Sequence, residues 1–470
     1  MRRTSLAVLV CILSAFAFGQ AKTKRPAASP VRAAQPVVNK QAVAILQQAA
    51  SLIAQIPVPE KEYDSRRVHL LNDLGQEQWR AGDLAGARKS FDQALTEAKL
   101  LDLKLEPEAK QGGSEVVQSV ALAHAEVADA AGVQLLLPLF SDVTVDYDET
   151  PRRSEVLEKL AEAQASAGDI KAASVTAAKI ENESKRAYAW MDIMQAYIRR
   201  GDIPGAQAIF DKLAAGNKQF GTYLFVSALV DAGKIPEAVT LASSLPIPKK
   251  MEESDWFAPF DARSAAQGSI ATAQADAGDI AGALLTIATM SDDDNKFRSL
   301  GALLKAQRKA GDAAGAERSY SQALASRSKY DSEKHGMDTS HYAQAGSTLA
   351  LLQGSAGKWA EARKTAQDGV NAKDSLFGAF SLDGLVEAYV EAKDYAGALQ
   401  AATMARKQDR SRMLYMIARP QTADLGEAAA LAWVSDEATP ELKATALMAV
   451  AQGVMLRSKA KAVEASPKAH

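Results

Sequence analysis

Apolar residues recur at helical spacing in successive short segments of this chain. In one segment, Leu157, Leu160, Ala161 and Ala165 fall on one face of a helix. The segment is followed by the phrase "SAGDIKAA", in which Gly168 and its neighbours interrupt the pattern before the next apolar run begins. The same phrase returns in blurred form along most of the chain. The pattern therefore predicts helices joined in pairs by short turns.

The glycine of each phrase marks a regular repeat. The markers are Gly82, Gly168, Gly201, Gly233, Gly278, Gly311 and Gly357, and Lys393 takes this place in one further copy. Four pairs of adjacent markers are separated by 33 residues (168 to 201), 32 (201 to 233), 33 (278 to 311) and 36 (357 to 393), and the three larger gaps are 86, 45 and 46 residues. A period near 34 residues is typical of a solenoid built from helix-turn-helix units.

The residues around each marker have a direct physical interpretation. Glycine ends a helix because it adopts the left-handed conformation that other residues resist. Aspartate follows in six copies and is predicted to cap the next helix by accepting from its free backbone N–H groups: Asp83, Asp169, Asp202, Asp279, Asp312 and Asp394. Two copies have lysine there and instead place a carboxylate, Glu237 or Glu361, in the first turn of the next helix.

Alanine stands five residues after every marker. These eight positions are Ala87, Ala173, Ala206, Ala238, Ala283, Ala316, Ala362 and Ala398. A methyl group allows two antiparallel helices to approach closely, whereas a larger side chain would separate them. We therefore expect each alanine to lie where the two helices of a pair cross.

The chain is 47% hydrophobic but only 6% aromatic, a composition that favours closely packed helices. The repeated phrase resembles the pattern of the tetratricopeptide repeat (TPR) family. The resemblance is clearest around Gly82, where Gly75, Ala87, Phe91 and Ala94 match the family pattern. The resemblance weakens in residues 101–150, 246–262 and 325–343. It implies an all-α protein: a right-handed α-solenoid of antiparallel helix pairs, a TPR-like superhelix with about eight to nine repeats.

Near the end of the chain, a degenerate ninth copy is predicted with Asp424 as the cap and Ala428 at the packing position. The segment that starts at Thr439 and Pro440 is predicted to be the C-terminal capping helix, which covers the last apolar face of a solenoid. The solenoid is expected to span residues 39–457. Residues 458–470 are predicted to form a disordered tail.

The beginning of the chain has the pattern of a bacterial secretory signal peptide. Two arginines precede an apolar run from Leu6 to Phe18, which is too short for a permanent membrane anchor. We assign the signal peptide to residues 1–19 and a flexible linker rich in Ala, Pro and Lys to residues 20–38. The mature protein is therefore expected to be periplasmic or secreted, with no integral membrane segment. The only cysteine, Cys11, would be removed with the signal.

Charge and motifs exclude several function classes. Basic and acidic residues number 55 and 57 and are interspersed, so no basic surface for nucleic acid is predicted. No hydrolase, zinc-protease or nucleotide-binding motif is present. The loop with His335, Asp338 and His341 is interpreted as an ordinary surface loop. No catalytic residue, metal site or cofactor is predicted, and the protein is not expected to be an enzyme.

A glutamine recurs four residues before five of the markers: Gln78, Gln164, Gln274, Gln307 and Gln353. It could line a polar inner wall. The favoured interpretation is a hydrogen bond to the neighbouring hairpin that satisfies a partly buried amide.

Aromatic residues are concentrated in residues 186–260, which hold ten of them, whereas the whole chain has 12 Phe, 5 Trp and 11 Tyr. Helix phasing is expected to place part of this segment on the concave side of the solenoid, where TPR-like arrays bind peptides. The candidate partner-binding residues are Tyr188, Met191, Gln195, Arg199, Tyr223, Trp256 and Phe257. In the first copy, Asn72, Gln76 and Arg80 only faintly match the array with which some TPR domains bind a C-terminal carboxylate.

Three functions remain open at this point. The first hypothesis is an exported scaffold or adaptor that binds a protein or peptide partner of the cell envelope in its concave groove. The alternative is a glycan- or peptide-binding module that uses the aromatic residues around 186–260. The third is an all-helical envelope hydrolase, for which the sequence contains no catalytic domain.

Overall fold

The computed structural model describes residues 37–58, 64–103, 114–140, 151–210, 218–246, 261–333, 339–371 and 375–465. Within these ranges the regular structure consists of 22 α-helices and one short 3₁₀ turn, with no β-strand. The prediction of an all-α protein is therefore confirmed. The proposed signal peptide, nearly all of the linker, and Trp256 and Phe257 lie outside the described residues.

The helices are numbered α1 to α22 in chain order, and α1 is Lys40–Ile53. The other odd-numbered helices are α3 (Leu84–Asp102), α5 (Ala130–Leu136), α7 (Ile170–Ala177), α9 (Ile203–Phe210), α11 (Ile235–Ser243), α13 (Ile280–Ala288), α15 (Ala313–Glu333), α17 (Trp359–Asn371), α19 (Tyr395–Ala402) and α21 (Glu427–Val434). The even-numbered helices are α2 (Arg66–Arg80), α4 (Glu115–Glu126), α6 (Arg152–Ser166), α8 (Glu183–Arg199), α10 (Lys218–Asp231), α12 (Ala262–Asp276), α14 (Asp293–Lys309), α16 (Thr339–Ser355), α18 (Ser375–Glu391), α20 (Lys407–Leu425) and α22 (Pro440–Ala465).

The turns have the geometry that the sequence predicts. All seven marker glycines have φ between 71° and 85°, in the left-handed region. Each of the six predicted aspartate caps accepts a hydrogen bond from the backbone N–H three residues later, at 2.8 to 3.0 Å. The caps satisfy N–H groups that a helix leaves free in its first turn, and this fixes where these six odd-numbered helices begin.

The contact between the two helices of a pair is close at the repeat alanines. All eight are buried, and none is more than 6% exposed.

The recurring glutamine forms a hydrogen bond across the same contact between the two helices of a pair. Its side-chain oxygen accepts a hydrogen bond from a hydroxyl twelve residues later, at 2.7 to 2.8 Å, in the pairs Gln78–Ser90, Gln164–Thr176, Gln274–Thr286, Gln307–Ser319 and Gln353–Thr365. The hydroxyl belongs to the second helix of the same hairpin rather than to the neighbouring hairpin, which corrects the sequence-based interpretation in that detail.

One helix pair was not predicted from the repeated sequence phrase. Helices α4 and α5 lie in a stretch where the resemblance is weak, and their turn has Ala128 in the left-handed conformation, with φ of 57°. Asp129 caps α5 through the N–H of Gly132, and buried Val133 stands where the other copies have alanine. Both defining residues of the phrase are replaced, so the spacing search could not find this copy.

The even-numbered helices contact one another in sequence order, from α2 to α4 and onward to α22. Each also packs against the odd-numbered helix that follows it. In the described residues no helix follows α22, and α1, the first described helix, packs against it instead. Helix α22 also contacts α2, so the series of contacts between even-numbered helices returns to its start.

The first and last described helices share one hydrophobic core. Leu46 and Ile53 of α1 belong to the same buried cluster as Val450 and Val454 of α22, and all four are at most 3% exposed. Backbone and side-chain bonds reinforce this junction. The N–H of Asn39 donates to the carbonyl of Ala81 at 2.9 Å, and its side-chain amide donates to Ser458 Oγ at 3.2 Å.

Three expectations about the C-terminal region are wrong in detail. Helix α22 continues to Ala465, so the predicted tail does not begin at residue 458. Its residues are good helix formers, and the helix packs against α1, which extends its order. Residues 466–470 lie outside the described part of the chain.

The predicted cap Asp424 instead accepts a 2.7 Å hydrogen bond from the hydroxyl of Tyr395, because α20 extends to Leu425. Ala430, rather than the exposed Ala428, is the buried alanine of α21.

Candidate functional site

The predicted partner-binding residues on α8 do not all face outward. The side chain of Tyr188 is 44% exposed, Arg199 is exposed, and Gln195 is half-buried. Met191 is only 1% exposed and packs in a buried cluster with Ala187, which corrects the expectation that it faces a groove. Tyr223 of α10 is half-buried against apolar neighbours. The helix phase predicted from the sequence was therefore wrong by one residue at Met191.

Asp192 takes the place expected for Met191. With Tyr188, Gln195 and Arg199 it follows the i, i+4, i+7, i+11 spacing of one helix face. Burial raises the pKa of Asp192 to about 7, and the carboxylates of Glu162 and Glu158 on α6 act in the same direction. Lys159 and Arg199 oppose the shift. This face of α8 is therefore polar and carries a carboxyl group that titrates near neutral pH.

A concave site lies where α2 and α22 meet. A cleft of about 590 Å³ is lined by α2, α4, α20 and α22, all even-numbered helices. Six charged side chains define it: Asp73, Glu77 and Glu126 are acidic, and Arg80, Arg419 and Lys459 are basic. Met448, Met455 and Leu456 of α22 contribute apolar surface. We call this site the junction cleft.

Glu77 is the least exposed charged residue of the junction cleft, at 4%. One carboxylate oxygen, Oε1, accepts hydrogen bonds from Arg80 and from the side-chain amide of Gln452, the latter at 2.6 Å. The other oxygen, Oε2, is buried and has no hydrogen-bond partner. A buried carboxylate oxygen without a donor is costly, so the site favours a ligand that brings an N–H group to it.

Two further carboxyl groups stand beside Glu77. The protein atoms that line the cleft displace part of the water around Asp73, and this desolvation raises its pKa to about 6, although its side chain stays accessible from the cleft. The charges of Glu77 and Glu126 add to this effect, and Arg80 opposes it. Asp73 and Glu126 are both exposed to solvent. In the described part of the chain neither accepts a hydrogen bond nor forms an ion pair within 4 Å. Cationic groups would relieve the repulsion among these three acids.

The acidic group and the basic group allow the junction cleft to bind a ligand of mixed character. Asp73 and Glu77 are one helical turn apart on α2, so both approach from the same wall. Lys459 and Arg419 come from α22 and α20 and can bind carbonyl or carboxylate oxygens. Apolar side chains of α22 can pack against the aliphatic stem of a lysine or arginine.

Sequence reasoning found only part of this site. Gln76 and Arg80 were noticed as a weak match to a binding array, and both line the junction cleft. Asn72 is buried and donates to Ser119 Oγ at 3.1 Å, so it takes no part. The cleft residues on α20 and α22 lie more than 300 positions from Arg80 in the sequence. No local pattern could connect them, because the contact arises only when α1 and α22 meet.

No group of three His, Cys, Asp or Glu side chains in the described residues is arranged to hold a metal ion. The candidate residues His335 and Asp338 lie outside the described part of the chain, and so does the side chain of His341.

None of the helices in the described ranges combines the length and the apolar character needed to span a membrane. Comparison with protein-family models and with curated proteins finds no match to this sequence.

Proposed function

We propose that this protein is a non-enzymatic, TPR-like scaffold that binds a polypeptide segment in the junction cleft. Its architecture would be a right-handed α-solenoid of ten hairpins, closed by an eleventh pair made of α22 and α1. The observation that carries the proposal is buried Glu77, whose Oε2 has no hydrogen-bond partner in a cleft also lined by cationic and apolar side chains. The closed series of helix contacts and the buried repeat alanines support the architecture.

A polypeptide segment suits the mixture of groups in this cleft. A lysine or arginine side chain would donate to Glu77 Oε2 and balance Asp73 and Glu126. The backbone carbonyls or an acidic side chain of the same segment would accept from Arg419 and Lys459. Met448, Met455 and Leu456 would contact the aliphatic parts. We therefore infer that the partner presents at least one basic side chain to the cleft.

We further propose that the protein is exported to the bacterial cell envelope. The charged start, the short apolar run and the small residues before Gln20 support removal of a signal peptide and export to the bacterial envelope. The protein would then meet its partners in the periplasm or outside the cell. Detecting the mature N-terminus in an osmotic-shock fraction would test this point.

The binding proposal is tested by site-specific photo-crosslinking in the native envelope. A photoreactive residue replaces Lys459 in the cleft, and a second variant carries it at Lys364 of α17, whose side chain is 77% exposed. We expect the same basic segment of a partner to be captured repeatedly from position 459 and not from position 364. Exchanging Glu77→Gln should reduce that capture at least tenfold. Equal capture from both positions would contradict the proposal.

A ligand-binding function centred on α8 is the second candidate, because Tyr188 is an exposed aromatic side chain on a polar helix face. Sugar rings stack on such aromatic surfaces. A soluble glycan that raises the melting temperature, and loses that effect in Tyr188→Ala but not in Glu77→Gln, would favour this alternative. Stabilisation by a lysine-containing peptide that depends on Glu77 would favour the scaffold.

A further inference from the structure

The described part of the chain begins beside the junction cleft. Asn39, the first capping residue of α1, is bonded to Ala81 and to Ser458. Ala81 follows the cleft residue Arg80, and Ser458 precedes the cleft residue Lys459. Val37 and Val38 are exposed, at 91% and 56%. The segment before residue 37 therefore leaves the described fold directly beside the cleft.

This segment carries cationic groups that could approach the carboxylate oxygens left without a donor in the cleft. Residues 20–38 contain the basic residues Lys22, Lys24, Arg25 and Arg32 and no acidic residue. In the described part of the chain, Glu77 Oε2 has no donor, and Asp73 and Glu126 have no ion pair. A guanidinium or ammonium group is the natural partner for such a set of carboxylates.

The distances permit contact within one chain. Arg32 precedes Asn39 by seven residues, so an extended connection reaches about 24 Å at 3.3–3.6 Å per residue. The cleft-lining part of α2, from Asp73 to Arg80, is about 10 Å long at the helical rise of 1.5 Å per residue. A tethered segment also has an effective concentration on the order of millimolar, which a free partner would have to overcome.

We propose that the basic segment from Lys22 to Arg32 occupies the junction cleft of its own chain and acts as an intramolecular competitor of the partner. Arg32 donates to Glu77 Oε2 and Asp73, and the lysines reach Glu126. The inference rests on the proposed function, because the same cleft would hold the partner segment. A partner then binds only by displacing the basic segment, which makes occupancy of the cleft dependent on partner concentration.

Zero-length crosslinking of the full mature chain tests the contact directly. A carbodiimide joins a lysine amine to a carboxylate only when the two groups touch. We expect crosslinks from Lys22 or Lys24 to Asp73 or Glu126 within one chain, with a yield independent of protein concentration. Crosslinks only to other carboxylates would overturn the proposal. Crosslinks between two chains would also overturn it and indicate a second copy as the occupant.

A binding experiment measures the competition. The probe is a fluorescent peptide of residues 20–38, and the proteins are the full mature chain and the same chain with Lys22→Gln, Lys24→Gln, Arg25→Gln and Arg32→Gln. We expect the peptide to bind the neutralised chain at least tenfold more tightly than the native one. Adding Asp73→Asn and Glu126→Gln, two exposed positions, should abolish this gain. Equal affinity for both chains would refute the competition.

The two proposals fail in different ways. If the peptide binds neither chain but photo-crosslinking from position 459 still captures a partner segment, the intramolecular contact is wrong and the scaffold function stands. If the peptide binds as expected but no partner is captured, the scaffold function is wrong and the cleft serves only the chain itself. Absence of both results would reject the junction cleft as a binding site.

Discussion

The side-chain amide of Gln452 donates a 2.6 Å hydrogen bond to Oε1 of Glu77, across 375 positions of sequence. Gln452 lies on α22, the last helix, and Glu77 lies on α2, the first even-numbered helix. This bond therefore joins the two ends of the helical series on the side that forms the junction cleft. The contact between the first and last helices and the candidate site consequently depend on the same residues.

Because α1 packs against α22, a substitution that destabilises α1 should also destabilise α22. Leu46 of α1 is fully buried in the core that includes α22, so Leu46→Ala should lower the free energy of unfolding by about 2–5 kcal/mol. Hydrogen exchange of peptides from α22 should accelerate.

Leu285→Ala, at a residue that is 72% exposed on α13, is the control and should change stability by less than about 0.5 kcal/mol. Unchanged exchange in α22 of the Leu46→Ala variant would mean that the chain ends are not coupled.

The left-handed turns predict opposite effects of two single-atom changes. Ala128 has φ of 57°, a conformation that costs a non-glycine residue about 1–2 kcal/mol. Ala128→Gly should therefore raise the free energy of unfolding by about 1 kcal/mol. Gly278→Ala should lower it by a similar amount, because φ is 82° there. An added Cβ at Gly278 meets no atom within 4 Å, so the cost comes from the backbone alone. Chemical denaturation measures both, and equal signs would contradict the assignment of the turns.

The glutamine-hydroxyl pairs predict strong coupling between the helices of a hairpin. Thr286 Oγ1 donates to Gln274 Oε1 at 2.7 Å. Thr286→Val removes the donor, leaves a buried oxygen unsatisfied and should cost about 1–3 kcal/mol.

Adding Gln274→Leu should recover most of that loss, because a copy of the same turn has the apolar pair Leu229 and Leu241 at the equivalent positions. A double-mutant cycle measures the coupling. If the two losses simply add, the bond does not stabilise the hairpin.

Asp192 predicts a dependence of stability on pH. Its pKa is raised to about 7 in the folded protein, so the folded state keeps a proton that the unfolded chain releases near pH 4. This contribution to stability is complete below pH 4 and is lost as the pH rises through 7. Asp192→Asn should therefore reduce the fall in unfolding free energy between pH 5 and pH 8. The exposed Asp276→Asn is the control and should follow the native chain. An unchanged slope in Asp192→Asn would show that Asp192 does not titrate in this range.

Local sequence determines the hairpin. Glycine at the marker, aspartate after it and alanine five residues later act through backbone conformation, capping and side-chain size, which depend on near neighbours. Two features at the same level were not recognised, although the chain contains their signal. The turn at Ala128 keeps Asp129 and Gly132, and the five glutamines each have a serine or threonine twelve residues later.

The sequence by itself determined that the chain forms helices, where most of them begin and end, and which methyl groups separate the two helices of a pair. Only the tertiary structure decided that α1 completes the pair of α22, that residues 458–465 extend a helix, and that Glu77 meets Gln452. The physical reason is the range of the interactions. Caps and turns act over a few residues, whereas the contacts that bring Gln452 to Glu77 join residues 375 positions apart in the sequence.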